Sequence, residues 1–587
     1  VRFIAAIISF VIAFGLIAYG IAQRTVLAEA DSITASETFA NKAPVTIVNS
    51  STLKSLPGRQ EIQISGAKKI FAAYGRTEDV LAWVGDTSYN RVGFNSEKST
   101  LTSRLISGTS SSVPNPRGSD LWLDEFSETN SLNFTVNVPD GISVIIVSDG
   151  TSAAPSTLSI RWPLDNRTPW SGPLIVGGIV LLILGLALYL WGLAHLRRSR
   201  GPRRKTPKMP KVPRQRSYRS RKRKALAPSG SRRSNRRRMV AIVPVLLIGG
   251  LTLSGCSPAS WPDFVSGAAS ATPTPSATAA VVNDTPPAVT VPQLRVILSR
   301  ISAVAAKADA DKDVELAKTR FDGAALDLRV ANYAIRKVDG TQAALAAIPA
   351  SSATVILPQQ QKADRWPRVV FTVVQNPTDK KVPPVGLMLE QTTPRSDYKV
   401  RYATALEAGV VLPKLAAKEV GAPRVDPDGK LLELAPSKIA LAYGDILEKG
   451  PTSESSKYFD TSDDKLIGLI GVENRKERQA KVAESKGKME FVNTVGPYDS
   501  IGLGSNDSGA IIAVYLTETV TVTPVEAGAA VNPEGQVKTL SGVTGSTKGT
   551  VAVYGDQLLF YVPSSTSKQK ISLLGFATGL ISAKELP

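Results

Sequence analysis

Two apolar runs, Phe3 to Ala22 and Pro173 to Leu193, constrain this 587-residue chain more than any other feature. Each is long enough, at about 1.5 Å per residue, to cover the ~30 Å hydrocarbon core of a bilayer. The first exceeds the about 7–15 residues usual for a signal-peptide core and reads as an uncleaved anchor. The small-x-small triplet Ala28-Glu29-Ala30 keeps a cleaved secretory signal open. The second run has Trp162 and Trp170 before it and Tyr189 and Trp191 near its end, where amphipathic rings favour the interface. Directly after it, Leu196 to Arg238 holds 20 Lys/Arg and no Asp or Glu. Such a block predicts a cytoplasmic side for residues 196–238, and so an outward side for residues 24–170.

The same block explains the charge. The chain carries 70 basic and 50 acidic residues, so outside the block the balance is 50 to 50. The high isoelectric point therefore describes topology. With Tyr218 as its only aromatic, the block lacks the stacking groups of a single-strand binder, and no nucleic-acid partner is expected. Anionic lipid headgroups are compatible with it.

A second signal lies in mid-chain. Arg236-Arg237-Arg238 leads into the apolar stretch Val240 to Leu253, which ends in Leu253-Ser254-Gly255-Cys256. A basic lead, a short apolar core and an aliphatic-small-small-Cys box form the pattern of a bacterial lipoprotein signal. The pattern predicts a diacylglycerol on Cys256 and a cut before it. The stretch is short for a span and holds Pro244 and Gly249-Gly250; without a cut it would have to serve as a short third span. Ser257 to Pro292 then reads as a low-complexity tether, because its Pro/Ser/Thr/Ala composition cannot bury a core. A two-span membrane protein and a lipoprotein thus read as joined end to end.

Cys256 is the only cysteine and His195, at the end of the second apolar run, the only histidine. The folded regions therefore lack Ser-His-Asp and Cys-His catalysis, histidine acid–base chemistry and zinc held by His or Cys. No cofactor or metal is expected. Carboxylates, lysines and tyrosines remain, so an enzyme is disfavoured and not excluded.

Residues 31–165 alternate with period 2. Val45 to Val48, Glu61 to Ile64, Lys69 to Ala72, Val80 to Val84, Asn133 to Val136 and Ser143 to Val147 read as short strands between Gly/Pro/Asn turns, the mark of a small sandwich or barrel. From Val291 the pattern becomes helical, with Leu294, Ile297, Leu298, Ile301 and Val304 on one face. A second helix from Asp313 to Tyr333 precedes strands Arg368 to Val374, Val385 to Glu390 and Tyr398 to Ala403. The order recurs: helices Ser437 to Leu447 and Asp464 to Ser485, then strands from Glu490 to Phe576. Arg401-Tyr402-Ala403-Thr404-Ala405-Leu406 is echoed by Gly575-Phe576-Ala577-Thr578-Gly579-Leu580.

The expected fold is a multidomain membrane protein. An N-terminal all-β domain lies between two membrane helices, and two tandem α+β units follow, each of leading helices on an antiparallel sheet. The expected boundaries are a membrane helix at 1–23, the β domain at 24–169, a second helix at 170–195 and the basic linker at 196–238. The lipoprotein signal-like segment at 239–256, the tether at 257–292 and α+β units at 293–420 and 431–587 complete the chain.

The stretches Arg320-Phe321-Asp322-Gly323-Ala324-Ala325-Leu326-Asp327-Leu328-Arg329-Val330-Ala331-Asn332-Tyr333 and Pro436-Ser437-Lys438-Ile439-Ala440-Leu441-Ala442-Tyr443-Gly444-Asp445-Ile446-Leu447 resemble segments of uncharacterised actinobacterial envelope lipoproteins. Their helix-then-sheet order is similar to nuclear-transport-factor-like cone folds. The segments Ala73-Tyr74-Gly75-Arg76-Thr77-Glu78-Asp79-Val80-Leu81-Ala82-Trp83 and Trp162-Pro163-Leu164-Asp165-Asn166 resemble actinobacterial membrane proteins, some loosely labelled glycosyltransferase. The resemblance implies a plasma-membrane location with both folded parts outside. It carries no motif of known chemistry; the expected role is a non-catalytic binding or scaffolding module towards an envelope glycan or protein, or alternatively an enzyme or accessory subunit of envelope glycan assembly using carboxylates only.

Motifs with chemistry are few. Asp426-Pro427-Asp428 matches the Asp-x-Asp of metal-dependent glycosyltransferases, yet its composition is that of a turn. Asp426 and Asp428 are the acidic candidates should the chain be an enzyme. Asp309-Ala310-Asp311-Lys312-Asp313 reads as a solvated helix connection and fails as a calcium loop, with Val314 where Gly is required. Ser565-Thr566-Ser567-Lys568 has Ser-x-x-Lys spacing without the companion motifs. Trp83, Trp122, Trp261 and Trp366 read as core or interface residues before sugar platforms.

Overall fold

The computed structural model describes residues 2–27, 30–164, 170–199, 286–350, 353–360, 365–379 and 381–587. The expectations for residues 200–285 lie outside these residues. They include lipidation of Cys256 with Leu253, Ser254 and Gly255, most of the basic block and tether, and Trp261. The described residues belong to two compact units, one holding the two apolar helices and the other Thr34–Arg161 with Ala277–Pro587.

In the first unit, α1 (Arg2–Arg24) and α4 (Ser171–Ser199) pack antiparallel. Both are long and apolar enough to cross a membrane. Side chains seven residues apart on α1, Phe3, Phe10 and Ile17, lie against Gly192, Gly185 and Gly178 of α4, where an added methyl group would stand 3.0, 3.2 and 2.6 Å from them. Ala6 and Ala13 are fully buried in the same contact. Heptad spacing of small residues lets two apolar helices approach closely where no water drives them together.

The β domain of the second unit comprises β1 (Ser32–Thr38), β2 (Val45–Val48), β3 (Gln60–Arg76), β4 (Tyr89–Asn95), β5 (Thr100–Ile106), β6 (Asp124–Val136), β7 (Ile142–Val147) and β8 (Thr157–Pro163). The strands form a nearly closed, barrel-like sheet in the order β1-β8-β3-β7-β2-β4-β5, with β6 on β3. Segments 61–64 and 69–72 are one strand, β3, interrupted by a bulge between Ser65 and Lys69 at Gly66, whose φ of 90° suits glycine. Two helices interrupt the strands, α2 (Ser50–Leu53) and α3 (Thr77–Val84). The strand expected at Val80 to Val84 is thus corrected to helix α3. Val80, Trp83 and Val84 recur at three and four and are buried, Leu81 points out, and Glu78 and Asp79 favour the helix N-terminus.

The C-terminal part begins with α5 (Val291–Asp311), α6 (Val314–Lys318) and α7 (Gly323–Val338). Thr290 and Gln293 form a reciprocal capping box at the start of α5. The single helix expected from Asp313 to Tyr333 is broken at Gly323, whose φ is 58°. Strands β9 (Ala353–Pro358), β10 (Arg368–Val374), β11 (Val385–Gln391) and β12 (Lys399–Leu406) follow. The second set has α8 (Pro436–Lys449), β13 (Phe459–Asp460), α9 (Lys465–Ile470) and α10 (Val472–Glu484). Its strands are β14 (Gly487–Val495), β15 (Ile501–Gly504), β16 (Ala510–Pro524), β17 (Thr550–Val562) and β18 (Ile571–Glu585), with α11 (Gly535–Ser541) before β17. Gly471 divides the expected helix 464–485 into α9 and α10.

The two sets do not build separate sheets. They share one ten-stranded sheet in the order β14-β16-β17-β18-β12-β11-β10-β9, with β13 on β18 and β15 on β16, the last long strand of each set meeting at the centre. The echoed segments are the ones that join: Ala405 pairs with Phe576 and Leu406 with Gly575. Only glycine fits at 575, because a Cβ there would stand 2.5 Å from the Ala405 carbonyl oxygen. Where the ladder stops, the Ala403 N–H donates to Gln557 Oε1 at 2.8 Å. The helices of each set cover one face of its own strands. The remaining faces pack on one another through Phe371, Met388 and Tyr402 of the first set and Tyr515 and Leu559 of the second. The interior expected of two cones is thus a shared, filled core.

Candidate functional site

The acids singled out from sequence do not converge. Asp426 closes a turn, its Oδ1 accepting from the Asp428 N–H at 3.0 Å, and Asp428 accepts from the Ser437 hydroxyl at 2.7 Å. Asp426, but not Asp428, lines an open cleft of about 490 Å³ with Arg365, Trp366 and Arg424. Asp309 accepts from the Tyr333 hydroxyl, Asp311 pairs with Lys307, and Asp313 caps α6. The Ser565–Lys568 stretch lies between β17 and β18. Among the described residues no three His, Cys, Asp or Glu side chains come together to hold a metal.

The concentration of buried charge lies elsewhere, where the β domain meets the C-terminal part. Helix α3 is held at both ends. In its first turn Asp79 meets Arg368, the first residue of β10, at 2.6 Å, and each side chain is only 2% exposed. At its C-terminal end the Trp83 and Val84 carbonyls each accept from Arg395 at 2.8 Å. A cation belongs there, on carbonyls that have no partner within the helix. Arg76, just before α3, donates to the Pro287 carbonyl at 2.5 Å. Burial lowers the Arg76 pKa, against the favourable field of Asp79.

Asp120, on the loop between β5 and β6, is the second anchor, with its carboxylate fully buried. It accepts from Arg320 at 2.5 Å, from Arg300 at 3.1 Å and from the Tyr398 N–H at 2.8 Å. Arg320 reaches both carboxylate oxygens, the fork geometry that a guanidinium supplies and an ammonium does not. Arg300 also donates to the Gly118 carbonyl at 2.7 Å, and Gln293 to the Leu121 carbonyl at 2.9 Å. Burial raises the pKa of the neighbouring Asp397, whose carboxylate stands 3.3 Å from Arg320.

Between the anchors the contact is aromatic. Trp83 and Trp122 lie 5.5 Å apart in the β-domain core, and Trp366 packs against that cluster. The Arg368 guanidinium lies 3.9 Å from the Trp366 ring centre, a cation–π contact that keeps it aligned with Asp79. Trp83 and Trp122 are buried, as core or interface residues should be. The ion pairs run one way, with Arg300, Arg320 and Arg368 of the C-terminal part on Asp79 and Asp120 of the β domain and Arg395 on its carbonyls, while Arg76 donates in the opposite direction to Pro287. Sequence reasoning assigned none of these charged residues a role. Arg76, Asp79, Trp83 and Arg320 nevertheless fall within the segments that carry the resemblance, and buried Arg and Asp cannot be told from solvated ones in a single sequence.

Fold and contacts together define an α+β domain with one shared sheet, seated by arginines on a β domain. The chain belongs to the family of the domain of unknown function DUF8094, which matches residues 285–585 and so takes both α+β sets as one domain. No curated protein and no solved structure matches the chain.

Proposed function

We propose that this chain is a cell-envelope protein that works as a non-catalytic binding or scaffolding module. The observation that carries this reading is the docking interface, where Asp79 and Asp120 of the β domain are buried against arginines of the C-terminal part, whereas the open cleft is lined, among the described residues, by a single carboxylate, Asp426. Helices α1 and α4 anchor the chain in the plasma membrane, residues 196–238 are cytoplasmic, and both folded domains stand outside. Cys256 receives diacylglycerol as a second anchor, and the partner is an envelope glycan or protein. Accessibility of introduced cysteines to an impermeant alkylating reagent, placed at Ser51 and Thr566, tests the topology; labelling only after the membrane is opened overturns it. Mass spectrometry of Cys256 tests the lipid, and an unmodified thiol in an uncut chain overturns that part. The second reading, a carboxylate enzyme of envelope glycan assembly, draws support from Asp426 beside Trp366 and Arg365 in the cleft. An Asp426→Ala chain that leaves the envelope glycan profile unchanged removes it.

A further inference from the structure

A cut before Cys256, taken by itself, would make two separate proteins of this chain. The interface argues otherwise, and we infer that residues 286–587 form a subunit that stays seated on residues 34–161 when the chain between them is severed. This rests on the proposed function for the cut itself: hydrolysis of the Gly255–Cys256 amide, with water supplying the Gly255 carboxylate and the Cys256 amine.

The contact has the make-up of an intermolecular interface. Its centre is aromatic, with Trp83, Trp122 and Trp366, and its anchors are arginines, the residue types that carry most binding energy between chains. Its ion pairs across the contact run one way, arginines of the C-terminal part on Asp79 and Asp120 of the β domain, which favours correct encounter of two separate bodies and suppresses wrong pairing. The anchors are also multiple and oriented: a two-pronged Arg320–Asp120 pair, Arg368 on Asp79 at one end of α3, and Arg395 on the carbonyls at its other end. Each fixes direction as well as distance, so the seat does not depend on a linking segment for its register. The partner that fits the arginine-accepting face of the β domain is therefore the DUF8094 domain itself, in trans.

The test uses the full chain in detergent-solubilised membranes, tagged at its first residue, with Cys256→Ser to remove any lipid and a site-specific protease sequence placed within residues 262–276. After cutting, the C-terminal fragment should co-purify with the tagged half at near-equal amounts. Charge reversal by Asp79→Arg with Asp120→Arg should reduce co-purification about tenfold or more. Arg395→Gln, at the edge of the contact, should reduce it less and leave both halves folded by circular dichroism. Lys54→Ala, outside the contact, should change nothing. Release of a folded fragment from the unsubstituted chain on cutting overturns the inference, as does full retention in the charge-reversed chain. Failure of the uncut chain to sediment with membranes would instead count against the proposed function, and is read separately before the protease is added.

Discussion

At the scale of residues, the buried charges are of two kinds. Asp79 is met by Arg368, and Asp120 by Arg300, Arg320 and the Tyr398 N–H, so removing an arginine leaves a buried carboxylate short of its counter-charge. Arg368→Met should destabilise the docked pair by about 3–5 kcal/mol, read as a lowered midpoint in urea, whereas Lys54→Ala at an exposed pair should cost about 1 kcal/mol or less. Asp556 in β17 is the second kind. It is fully buried, and burial pushes its pKa up to about 7, with the nearby Thr578 hydroxyl opposing the rise. Its ordinary value is 3.8, so between that and about 7 the folded chain holds a proton that the unfolded chain has lost. Stability from this group is therefore complete below pH 3.8 and declines, by up to roughly 1.4 kcal/mol per pH unit, as pH rises towards 7. Asp556→Asn should flatten that slope in denaturation curves at pH 5 to 8; an unchanged slope would place the titration elsewhere.

At the scale of elements, the long periodic segments were legible and the short ones were not. Helix α5 follows from Leu294, Ile297, Leu298 and Ile301 on one buried face, and β10 from its Val- and Phe-rich sequence. Helix α3 was missed because eight residues rich in Val, Leu and Trp satisfy strand and helix patterns alike, and its packing against β3 and β7 decides. The breaks at Gly323 and Gly471 likewise depend on what the chain must turn towards. In the membrane pair, the glycines 178, 185 and 192 mark one face of α4, and their seven-residue spacing stands in the sequence itself. Gly185→Leu should collide with Phe10 and loosen the pair. With cysteines introduced at Phe3 and Tyr189 in a Cys256→Ser background, disulfide yield should fall several-fold; undiminished yield would show that the helices do not need the small residue.

At the scale of the whole molecule, the two α+β sets are bound by a common core, so they should open as one cooperative body. Native-state hydrogen exchange should give β10 and β16 amides the same limiting opening free energy, and well-separated values would mean two independent units. The echo of Arg401 to Leu406 in Gly575 to Leu580 pointed to a repeat but not to the join, because strand pairing between positions so far apart in the chain leaves no local pattern. The apolar spans, the β region between them, the α+β region after them and the lack of His and Cys in the folded parts are legible in the primary structure. These depend on composition and short-range periodicity. Long-range packing is what merges the repeated strands into one sheet, fills its interior, and brings arginines from distant parts of the chain to Asp79 and Asp120. The reason is physical: a charge becomes an anchor only when burial removes its water and geometry brings its counter-charge, and both are properties of the folded chain.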